Sequence, residues 1–136
     1  MNPVEWQFLE AEELLKKGAF KEAEERYEQL GQASLSDALK IRRRDALGYL
    51  SEVRGDTDGA EAIFRETIAW IEARAPQLPA DLARSLNNLG RLMIRKDPKE
   101  AIACFDRSCE LFRSQAETLP EYRLSLPTII TARAEA

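Results

Sequence analysis

Residues 78–112 read LPADLARSLNNLGRLMIRKDPKEAIACFDRSCELF, and the spacing inside this stretch decides the fold. Pro76 and Pro79 bracket the way in, and a helix is predicted near 79–95. Asp97-Pro98-Lys99-Glu100 then reads as an N-cap, a proline at the first helical position and a glutamate three residues after the cap, opening a second helix near 98–116. Gly90 on the first helix lets the second approach closely. Ala101 is the matching contact point, and Phe105, one turn later, fills the gap that two small residues leave.

The same arrangement recurs upstream. Ala11 through Leu14, Gly18, Phe20, Ala23 and Tyr27 form one copy, and Leu47-Gly48, Gly55, Ala60 and Phe64 a second. The steps from small residue to alanine are 11→23, 48→60 and 90→101; those from alanine to aromatic are 23→27, 60→64 and 101→105. Helices are therefore expected near 3–17 and 20–32, 36–54 and 57–75, 79–95 and 98–116, with Gly18 and Gly55 as left-handed stops to the first helix of a pair. A seventh helix is expected near 120–134, opened by Thr118-Leu119-Pro120-Glu121 and disturbed by Pro127. Ala132 follows Gly90 by the 42 residues that separate Gly48 from Gly90, so this helix reads as the start of a fourth pair that caps the third. No stretch sustains the two-residue alternation of a strand.

Three copies of small–alanine–aromatic in register resemble the tetratricopeptide repeat family over about residues 5–112, and Leu78–Gly90 resembles its long-helix, kinesin-light-chain variety. Copies spaced by 37 and 42 residues exceed the family's basic unit, Gln7 and Glu10 stand at apolar family positions, and the third turn is one residue short. The resemblance implies an all-α domain: a right-handed superhelix of three antiparallel helix pairs plus a C-terminal capping helix, spanning 1–136. A plain antiparallel bundle shares the amphipathic pattern but does not account for the fixed offsets.

Composition narrows the chemistry. The chain has 136 residues, no histidine, two cysteines and a net charge of −4. Without histidine the commonest general base and metal ligand is missing, and two cysteines alone complete no ordinary zinc site. No phosphate-binding glycine motif occurs; Gly55 and Gly59 read as a turn. Glu12-Glu13 and Glu24-Glu25 read as solvated helix surface, so no enzyme, cofactor or metal is expected. Cys104 and Cys109 fall on different faces of one helix, which suits free, packed thiols. No apolar run reaches membrane-spanning length, and Met1–Glu5 lacks the start of a secretory signal, so a cytoplasmic protein is expected. An overall negative charge disfavours nucleic acid.

The resemblance further implies a concave groove lined by first helices: Phe8 and Glu12, then Arg42, Asp45 and Tyr49, then Arg84, Asn87, Asn88 and Arg91. Arginines on the third pair's first helix favour an acidic peptide partner, unless they serve only solubility or internal pairing. Phe8 and Glu12 stand where some family members place the lysine and asparagine that clamp a chaperone tail's C-terminal carboxylate, so that clamp is not expected. Trp6 and Phe8 either cap the N-terminal edge or wall the groove. The expected function is a protein–protein interaction scaffold. The alternatives are homo-oligomeric self-assembly, membership of a longer repeat array and, least favoured by charge, a nucleic-acid-linked regulator.

Overall fold

A computed structural model describes residues 2–74 and 78–118, the last four by backbone alone. Six helices occupy them in the order α1 (Pro3–Lys17), α2 (Phe20–Leu30), α3 (Asp37–Val53), α4 (Thr57–Arg74), α5 (Pro79–Met93) and α6 (Pro98–Thr118), and no strand occurs among the described residues. The all-α expectation holds. The helix expected near 120–134, and with it the capping role, lies outside the described residues.

Local chemistry sets the ends. Four helices begin with a side chain bonded to the backbone N–H three residues on: Asn2 Oδ1 to Glu5, Ser36 Oγ to Leu39, Asp56 Oδ1 to Gly59 and Asp97 Oδ1 to Glu100, at 2.9–3.3 Å. Gly59 therefore belongs to the first turn of α4, not to the preceding turn as expected, because the Asp56 cap already closes the helix start. After α1 and α3 the chain turns through Gly18 and Gly55, at φ 82° and 87°. In each turn two backbone N–H groups fold back on the last carbonyls: Gly18 and Ala19 on Leu15 and Leu14, Gly55 and Asp56 on Glu52 and Ser51. A side chain at either glycine would be strained by the left-handed backbone.

Two helices stop earlier than expected. Beyond Leu30 the N–H groups of Gly31, Gln32 and Ala33 bond three residues back, a tighter winding that ends α2 before residue 32. Likewise α5 ends at Met93, and the Asp97 N–H closes the short turn onto the Met93 carbonyl at 2.8 Å.

The chain divides into two compact units, Met1–Ala60 and Glu61–Ala136. In the first, Phe8, Ala11, Ala23, Tyr27, Leu30, Ala46 and Leu50 form one buried cluster. The Phe8 and Tyr27 rings meet edge to face at 6.1 Å, and Arg26 pairs with Glu10, so residue numbers fall along α2 as they rise along α1: the two are antiparallel. The same reasoning sets α3 antiparallel to α2, through Phe20 against Tyr49 (6.5 Å) and the Tyr27 carbonyl against Arg43.

In the second unit, α5 and α6 are antiparallel. The Ser108 hydroxyl donates to the Ala83 carbonyl at 2.9 Å, and Gly90 abuts Phe105 and Cys104. A methyl group added at Gly90 would lie 2.9 Å from Phe105 Cε1, closer than packed atoms tolerate, so a glycine is what permits this approach. All three alanines and all three aromatics of the repeated pattern are buried. Cys104 and Cys109 are buried and neither is in a disulfide; burial pushes the Cys104 thiol up. Trp70 is half-buried with Arg74 over its ring at 6.0 Å, and Phe112 is half-buried too.

Candidate partner-binding surface

The expected groove residues separate into three kinds. Phe8 is 2% exposed and belongs to the core cluster, so it is not a groove wall. Its position three residues before Ala11 puts it on the buried face of α1. Asp45, 8% exposed, is also buried in α3 rather than presented outward.

Glu12 and Arg42 are brought together as an ion pair between α1 and α3, and both charges act on the Tyr27 phenol. Burial, with the Glu12 charge added, pushes the Tyr27 phenol up to about 12, and Arg42 opposes that shift. Glu24 is engaged similarly by Arg54. Glu12 and Glu24 are thus half-buried pairing residues rather than solvated surface, because α3 and the residue that ends it supply a guanidinium to each. Tyr49 is 38% exposed, its ring edge-on to Phe20.

The remaining four residues form one continuous feature. Arg84, Asn87, Asn88 and Arg91 follow the i, i+3, i+4, i+7 rule along α5, opposite its buried face of Leu82, Leu86, Leu89 and Met93. Arg84 pairs with Asp81, and Arg91 Nη1 donates to Asn88 Oδ1 at 3.2 Å. The Asn87 Oδ1 is buried with no hydrogen-bond partner among the described residues. A buried acceptor without a donor costs about 1–3 kcal/mol.

Two structural roles were not announced by the sequence. Arg43 Nε donates to the Tyr27 carbonyl at 2.6 Å, satisfying an acceptor at the end of α2 that the tightened turn leaves behind. Desolvation, then the neighbouring Arg44, lowers its pKa, while Glu28 opposes. The second is a ladder between α4 and the α6 region: Glu61 with Lys96 (2.6 Å), Arg65 with Glu100 (2.6 and 2.7 Å, a two-pronged fork) and Glu72 with Arg107 (2.7 Å). Every pair is 35 residues apart. A constant difference in number means that α4 and α6 run parallel. Arg65 also bonds Glu61 at 2.9 Å. Lys96 first, then Arg65, holds the Glu61 carboxyl below its ordinary range. A search for opposite charges at one fixed offset would have found this ladder.

Among the described residues no three side chains converge as a metal site requires, and no helix is long and apolar enough to cross a membrane. No known protein family matches the chain, and no curated protein is significantly similar to it.

Proposed function

We propose that the chain is a tetratricopeptide-like interaction module that uses α5 to recognise an acidic segment of another protein. The observation that carries this reading is the α5 stripe of Arg84, Asn87, Asn88 and Arg91. Two guanidiniums stand about two turns apart on one helix face, with asparagine amides between them. Arginines suit carboxylates because the guanidinium fork matches them two bonds at a time. Antiparallel neighbours within each unit, the parallel 35-residue offset of α4 and α6, and the buried small–alanine–aromatic positions support the repeat reading behind it. On this reading the chain has no catalytic role and needs no cofactor.

Selection from a random peptide library on the full chain, followed by affinity measurement, tests it. Enriched peptides should be rich in Asp and Glu. Reversing Arg84 and Arg91 to Glu should weaken them about a hundredfold, taking ~1.5 kcal/mol for each arginine lost. An affinity that survives the double reversal removes the basic stripe from the account.

A further inference from the structure

Asp81 gives Arg84 the kind of partner that the α5 stripe is proposed to take from outside, a carboxylate. The pair spans i, i+3 at the start of α5, where residues three apart stand on one helix face. Asp81 is its sheltered member, with a side chain 15% exposed against 47% for Arg84. An acidic segment arriving at Arg84 therefore meets a guanidinium that already holds an anion.

The displaced carboxylate has a second seat. Asn2, Ser36, Asp56 and Asp97 cap α1, α3, α4 and α6 with side-chain oxygens, whereas Leu78 precedes α5 with no side-chain hydrogen bond to it. Pro79 takes the first position of α5, which makes Asp81 the third. A carboxylate there lies beside the positive end of the helix dipole, close to first-turn N–H groups that have no carbonyl partner within the helix. Leaving Arg84 for the start of its own helix therefore costs Asp81 little.

Resting on the reading of α5 as a surface for acidic segments, we propose that Asp81 is an internal competitor. Its carboxylate occupies Arg84 in the unbound chain and yields that arginine to a carboxylate of the partner. One ion pair is then exchanged for another at Arg84, so Asp81 lowers the affinity of the stripe and makes binding depend on contacts beyond Arg84.

Calorimetric titration of the full chain with an end-blocked peptide of eight glutamates, at one fixed ionic strength, is the test. Asp81→Asn, with helix content checked by circular dichroism, should bind the peptide about twofold more tightly than the parent, the scale of one exposed i, i+3 pair. Arg84→Gln removes the point of competition, so adding Asp81→Asn to it should leave the affinity unchanged. An Asp81→Asn chain that binds no more tightly than the parent overturns the proposal. So does an equal gain in the Arg84→Gln background, which would make Asp81 a source of general repulsion rather than a competitor. Either result leaves the α5 reading standing as long as Arg84→Gln weakens binding. A peptide that fails to bind the parent, or binds it equally after Arg84→Gln, removes that reading and the competitor together.

Discussion

Replacing Gly90 by alanine sets two effects against each other, and the structure says which wins. Alanine is the better helix former, so in the middle of an open helix the change should stabilise by about 1 kcal/mol. At residue 90 the new methyl group meets Phe105 Cε1 at 2.9 Å, Phe105 Cζ at 3.1 Å and Cys104 Cβ at 3.2 Å. The phenyl ring cannot swing clear, because Phe105 is buried among its neighbours. Overpacking of this kind costs ~1–3 kcal/mol, which leaves a net loss of about 1 kcal/mol and lowers the melting temperature by about 3–5 °C. Thermal unfolding followed by circular dichroism measures the change. The second arm is Gly90→Ala in a Phe105→Leu background, where a smaller side chain makes room. There the same substitution should be neutral or stabilising. A rise in melting temperature from Gly90→Ala alone, or an equal loss in both backgrounds, would refute the claim that Gly90 and Phe105 share one gap.

Arg43→Met keeps most of the aliphatic stem but strands the Tyr27 carbonyl, so urea unfolding should report a loss of ~1–3 kcal/mol, with Arg43→Lys recovering only part. Glu61 has its carboxyl pKa depressed in the fold, so its contribution to stability is present at neutral pH and is lost as pH falls through the folded value. Glu61→Gln should therefore be less stable than the parent at neutral pH, and the two melting temperatures should converge on acidification. A constant gap across that range would separate Glu61 from the Lys96 and Arg65 pairing.

Much of the fold was legible because its signals are local. The Asp97 cap followed by Pro98 and Glu100, and the stops at Gly18 and Gly55, each depend on a few consecutive residues. The close approach of Gly90 and Phe105 is not local, but three copies at matching offsets made it readable. Arg43 gave no such sign: its partner is a backbone carbonyl 16 residues away, and backbone carries no sequence letter. The early end of α2 was hidden for the same reason. Phe8 was misplaced because the groove was carried over by family position, while its place three residues before Ala11 marked it for the core. Of the expected groove, the α5 stripe could be read from helical spacing. Nothing in the sequence announced that Glu12 would pair with Arg42, since an arginine's partner depends on which helix packs beside it.

Backbone amide chemical shifts, followed by NMR while an acidic peptide from the selection is titrated into the full chain, test the central claim most directly. The account predicts the largest changes along α5 at Arg84, Asn87, Asn88 and Arg91, with the Asn87 side-chain amide among them. Saturating changes confined to other helices, or no acidic peptide that perturbs α5 at all, would contradict it.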